Sequence, residues 1–199
     1  MDKQVIVSIS REFCSGGHAI GEYIAKAMGL GLVDRNMLDE IAQRKNIRIE
    51  YLEKYDQKPR NLILSRRVGA FSNSIEDIIA EMQFEYLRDK ASSGESFVVV
   101  GRCADSVLGS RKCLIPIFVM GDEEDKIAEA CRRFGIGREE AVSKMRRHDR
   151  TRKQYHNRYS ENKWGDSRYY DICINSSKLG IEKTAVLLTE YIRERMERF

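Results

Sequence analysis

Residues 5–21 read VIVSISREFCSGGHAIG. An apolar strand runs into a polar, glycine-bearing turn, and the turn opens a helix. That order suits a phosphate, because a glycine-bearing turn lets backbone N–H groups converge on an anion at a helix N-terminus. In this reading the amides of Cys14, Ser15, Gly16, Gly17 and His18 ring the anion, with Arg11 and His18 adding charge at the rim. A regular P-loop ends Gly-Lys-Ser/Thr; here those places hold Gly16, Gly17 and His18. Ser15 is then the loop hydroxyl that remains as a candidate metal ligand. Glu12 sits awkwardly beside a phosphate unless it pairs with Arg11 or faces a metal. A plain βα turn with no ligand is the competing reading, because any such unit uses glycine to turn.

Working outward, compact apolar runs at Gln4–Ile9, Leu30–Val33, Ser96–Val100, Cys113–Met120 and Asp171–Asn175 predict strands. None alternates cleanly, which favours a parallel sheet covered on both faces. Helical stripes fall between them: Ile20, Ile24 and Ala27–Met28; Ile75, Ile78, Ile79, Met82 and Tyr86; and Ile181, Ala185, Leu188, Ile192 and Met196. Asp122–Asp125 opens another helix with acidic residues, and Arg132-Arg133-Phe134-Gly135 closes it with basic ones and a glycine. Strands alternating with helices predict a doubly wound α/β fold. Residues 36–91 break the alternation with helices alone. They are expected to form a helical insertion at one sheet edge, either closing over a ligand or packing as a fixed layer.

The chain of 199 residues is of single-domain size. Its charged fraction of 33% against 42% hydrophobic fits a solvated globular protein, and the net charge of +4 does not by itself argue for nucleic acid. No apolar run approaches the roughly 20 residues of a membrane helix. Five cysteines without a C-x-x-C pair point to reduced thiols and a cytoplasmic setting, rather than to a disulfide framework or a zinc site.

Two further segments carry candidate chemistry. Val100-Gly101-Arg102-Cys103-Ala104-Asp105 follows an apolar strand, so Arg102 emerges where ligands bind in open α/β sheets. Its planar fork suits a phosphate, and pairing with Asp105 is the bland alternative. Residues 137–158 hold eight basic residues against three acidic ones. They read as a solvated helix face, as a lid whose arginines close on phosphates, or as a nucleic-acid stripe with Tyr155 and Tyr159 interleaved. Asp149 and Arg152, three apart, share one face of that helix. The lone Trp164 reads as a packing anchor.

In order, ISREFCSGGHAIG, GLVDRNMLDEIAQ, VVVGRCADSVL and DRTRKQYHNRYSENKWGDSRYYDICINSS resemble the cytidylate kinase-like family of P-loop proteins over nearly the whole chain. The resemblance implies a nucleoside-monophosphate-kinase-like fold: a five-stranded parallel sheet with helices on both faces, a helical acceptor-binding insertion and a lid helix. It divides the chain into a core of 1–35, 92–135 and 168–199, an insertion of about 36–91 and a lid of about 136–167. It also implies ATP as phosphoryl donor, Mg2+, and a nucleoside monophosphate such as CMP as acceptor. Carried over by motif, the loop is Arg11–His18, the acceptor-contacting Gly-Arg is Gly101-Arg102, and the lid pair is Asp149 and Arg152. Asp34 matches the aspartate after the second strand, and Asn175, Ser176 and Ser177 lie by the nucleotide base. Arg11, Arg102, Asp149 and Arg152 are the expected catalytic set. The chain departs from the family pattern at Gly17 and His18, at Asp39-Glu40 in place of a Tyr-Arg pair, and at Cys103 in place of an aspartate. A binding module that senses nucleotides is the alternative function; a nucleic-acid-binding protein is a weaker third.

Overall fold

A computed structural model describes residues 3–56, 67–68, 71–72 and 74–199. Its main sheet holds β1 (Ile6–Arg11), β2 (Gly31–Val33), β5 (Phe97–Val100), β6 (Leu114–Met120) and β7 (Ile172–Asn175), in the order β2-β5-β1-β6-β7. Every neighbouring pair is parallel, with Ile9 opposite Val100 on one side and Ile117 on the other. The first strand is therefore central. Its carboxyl end and those of its neighbours open onto one edge, where doubly wound sheets bind ligands.

Strand pleating sends alternate residues to opposite layers. Val5, Val7 and Ile9 pack with Ile20 and Ile24 of α1 (Gly17–Met28) and with Ala185, Leu188 and Ile192 of α8 (Ile181–Met196). Ile6, Phe97 and Val99 face the other way. They meet α2 (Met37–Lys45), α3 (Ile49–Tyr55) and α4 (Ile75–Ser92) through Met37, Leu52 and Leu87. The α4 stripe is rotated from the expected one: Ile79, Gln83, Tyr86 and Leu87 are buried, while Ile78 is exposed. Residues 36–91 are not helices alone, since a short antiparallel hairpin, β3 (Arg67–Val68) with β4 (Phe71–Ser72), interrupts them.

The short helix α5 (Ala104–Val107) follows β5. Helices α6 (Glu123–Phe134) and α7 (Arg138–Tyr159) form the remaining layer, joined through Ile127, Ala130, Ala141 and Met145. Gly135 ends α6 at a φ of 63°, in the left-handed region where glycine carries no Cβ penalty. After α7, Trp164 lies edge-on to Phe118 of β6 at 5.1 Å, the packing anchor its solitude suggests. Among the described residues, no helix is long and apolar enough to cross a membrane.

Candidate active site

The turn after β1 has backbone geometry that could receive an anion. Cys14 and Gly16 take left-handed backbone angles (φ of 57° and 76°), which swing successive N–H groups toward one side. Among the described residues, the N–H groups of Cys14, Gly16, Gly17, His18 and Ala19 find no acceptor. Main-chain donors left unpaired at a helix N-terminus carry its positive dipole end. Ser15 does something else: its buried hydroxyl faces the carbonyls of Glu12 (2.9 Å) and Val119 (3.0 Å). That bracing role replaces the expected metal ligand.

Arg11 explains the missing lysine. A Cβ placed on Gly17 would lie 2.6 Å from Arg11 Cβ, so the arginine stem occupies the room that any side chain at 17 would need. Farther along, a Cβ on Gly101 would collide with the Arg11 guanidinium. The side chain thus runs from beneath the loop to the β5–α5 turn. Among the described residues no carboxylate pairs with Arg11. Burial, then the like charges of Arg152 and Arg102, pull its pKa down to about 9, against weaker support from Asp34 and Asp149. It remains a cation at neutral pH, held where an anion would relieve it.

Two charged contacts hold the loop from outside. Glu12 does not pair with Arg11. Its carboxylate accepts from Lys126 Nζ of α6 (2.6 Å) and from Gly121 N (3.2 Å). On the lid side, Asp149 accepts from Phe13 N (2.7 Å), and Arg152 donates to the Arg11 carbonyl (3.2 Å). Arg152 also lies 3.6 Å from Asp149, so the i,i+3 spacing places both lid residues on the loop itself. Burial raises the Asp149 pKa and lowers that of Arg152. Phe13 stacks on His148 at 4.5 Å and on Phe134 at 5.7 Å. The His148 pKa is pulled down by burial and then by Arg152, Arg147 and Lys144.

The His18 imidazole points away from any phosphate role. It meets Asp34 Oδ2 at 2.8 Å and Glu22 at 3.5 Å, leaving only its backbone N–H to the cradle. Burial works to raise the Asp34 pKa, but hydrogen bonds from Asn36 N and His18, with Arg102 nearby, hold it below the usual range. Asn175, Ser176 and Ser177 brace the far side of the loop. Ser176 Oγ faces the Ser15 carbonyl (2.7 Å), Asn175 Nδ2 donates to Asp122, and Ser177 Oγ accepts from Asp122 N.

Arg102 does not pair with Asp105. Its buried guanidinium binds Asp56, which follows α3, and Gln83 Oε1 of α4 (3.0 Å); Gln83 in turn donates to Asp56 (3.2 Å). Gly101, Arg102 and Cys103 all have positive φ (80°, 64° and 56°). Two consecutive non-glycine residues in that region are strained and persist only where their surroundings hold them. The sequence held one clue to this triad: Gln83 is a polar residue on the buried α4 stripe. Nothing local marks Asp56 or Lys126, which arrive from distant elements.

Arg11, Asp34, Arg102, Asp149 and Arg152 thus gather with the loop at the carboxyl edge of the sheet, while Asn175–Ser177 stand behind it. A sequence profile of the cytidylate kinase-like family matches residues 6–178. No curated protein sequence matches significantly. An uncharacterized protein from Eubacterium ventriosum is 34% identical over 96% of this chain and 99% of its own, with a TM-score of 0.76. Shikimate kinase from Bacteroides thetaiotaomicron shares the fold at 12% identity, covering 95% and 98%, with a TM-score of 0.56. Shikimate kinase from Acinetobacter baumannii, in complex with shikimate, does so at 12%, covering 97% and 95%, with a TM-score of 0.53.

Proposed function

We propose that this chain, which belongs to the cytidylate kinase-like family, is a phosphotransferase that moves the γ-phosphoryl group of ATP to a nucleoside monophosphate, CMP by family. The observation that carries the reading is the conjunction of unpaired loop amides with a partly buried arginine that, among the described residues, has no carboxylate partner. Phosphoryl transfer asks for positioning and charge neutralisation, and these groups supply both. The loop amides hold the donor phosphates. Arg11, entering from the strand end, does the electrostatic work of the P-loop lysine, and Arg152 adds charge from the lid. The bond from the γ-phosphorus to the leaving ADP oxygen breaks as one forms to an acceptor phosphate oxygen.

Arg102 binds the acceptor once Asp56 yields its place, because an acceptor phosphate offers the same bidentate geometry as a carboxylate. Mg2+ would supply charge neutralisation on the phosphates. With Ser15 turned toward carbonyls, Asp34 is the residue that would hold it.

The test is ADP release from ATP and Mg2+ over a panel of nucleoside monophosphates, with shikimate as a comparison acceptor. CMP-dependent release that falls in Arg11→Ala, with the fold intact by thermal melt, supports the reading. ATP binding without turnover on any acceptor would overturn it in favour of a nucleotide-sensing module. The buried Arg102–Asp56–Gln83 triad is the observation on that module's side.

A further inference from the structure

Next to Arg102, the β5–α5 turn carries Cys103 and Asp105, and both meet His156 of α7. His156 Nε2 lies 2.6 Å from Asp105 Oδ2, and Cys103 Sγ lies 3.8 Å from the His156 carbonyl. The three residues are 3%, 5% and 3% exposed. A sulfur, a carboxylate oxygen and an imidazole nitrogen lie within 4.8 Å of one another. A tetrahedral ion with bonds of about 2.0–2.3 Å needs donor separations of roughly 3.3–3.8 Å. Closing the cluster onto an ion is a shift of about one ångström, within side-chain reach.

Two features show that this is more than a buried hydrogen bond. Asp105 Oδ1 and His156 Nδ1 are both buried, and neither has a partner among the described residues. Such atoms are rare in folded proteins, and an ion or ordered water is the usual explanation. Charge points the same way. Among the described residues, no lysine or arginine pairs with Asp105, whose one ionic partner is an imidazole. Once the thiol has given up its proton to binding, a thiolate, a carboxylate and a neutral imidazole sum to minus two, which a divalent ion cancels. The mixed S, N, O donor set selects zinc-class ions over magnesium or calcium.

We propose that Cys103, Asp105 and His156 form a structural site for a zinc-class divalent ion, tying lid helix α7 to the strained turn that presents Arg102. A water completes the four-coordinate shell. Burial pushes the Cys103 thiol up from its ordinary range, and binding displaces that proton to solvent, so affinity falls with decreasing pH. The proposal stands apart from the phosphotransferase reading, since it needs neither nucleotide nor turnover.

The experiment is metal analysis of the purified full chain, followed by Co2+ titration. One equivalent per chain is expected. A thiolate-to-cobalt charge-transfer band should appear, be lost in Cys103→Ser and persist in Cys14→Ser and Cys113→Ser. Folded protein that takes up no ion, or a band that survives Cys103→Ser, would overturn it. If Cys103→Ser fails to fold, zinc-edge X-ray absorption on the wild-type chain decides. A shell with one sulfur supports the site, and a shell of nitrogen and oxygen alone refutes it.

Discussion

The two arginines that follow adjacent strands have opposite surroundings. Arg11, at the end of β1, is partly buried beside unpaired amides and, among the described residues, has no carboxylate partner. Arg102, after β5, is buried and donates through Nη1 to Asp56 and Gln83. One side of the site stores unsatisfied positive potential; the other is already neutralised. Two arginines of one site thus start from opposite states, one open to an anion and one already holding a carboxylate.

The largest expected effect comes from the satisfied arginine. Arg102→Leu leaves Asp56 as a buried, uncompensated charge and should lower the unfolding free energy by about 3–5 kcal/mol in urea titrations. The double variant Arg102→Met/Asp56→Leu should recover most of that loss. If Arg102→Leu proves neutral, the contrast between the two arginines collapses.

Arg11→Ala should show the reverse pattern. Turnover or ATP affinity falls by about a hundred- to a thousandfold, the cost of losing a donor aimed at developing charge. Thermal stability does not fall in step, because a cation whose pKa is depressed costs the folded state free energy while protonated. That cost is relieved as pH rises through about 9.

A smaller effect tests the space they share. Gly17→Ala should cost about 1–3 kcal/mol by overpacking against Arg11 Cβ. Arg11→Gly combined with Gly17→Lys should restore both stability and phosphate binding, while Gly17→Lys alone restores neither.

The mildest concerns His148. Its lowered pKa means that the folded state favours the neutral ring. The contribution is full above the unfolded value of 6.5 and drains away as pH falls from there toward the folded value. His148→Phe should flatten that part of the stability profile in thermal melts between about pH 7.5 and 5, leaving the Arg11–Arg102 contrast untouched.

Much of this was legible in the chain. All five core strands lie within a residue or two of their apolar runs, because a central parallel strand must be apolar on both faces. The glycine-bearing turn and the Asp149–Arg152 spacing were equally local signals, the latter because i,i+3 residues share a helix face. What escaped were long-range partners. Asp56 is 46 residues from Arg102, and Lys126 is 114 from Glu12, so each pair depends on the folded topology. The Arg11–Gly17 exchange was half visible: the absent lysine could be read, but its replacement needed a side-chain path. Asp105, the alternative partner offered for Arg102, instead meets His156, 51 residues away, while Arg102 finds its carboxylate in Asp56.

Trp164 has an optical consequence. It is the chain's one tryptophan, held edge-on to Phe118 and tied through its backbone N–H to Asn157 Oδ1 of the lid helix at 2.9 Å. Intrinsic fluorescence excited at the indole therefore arises from a single place, the seam between lid and sheet. Any change at that seam carries its own unlabelled dye.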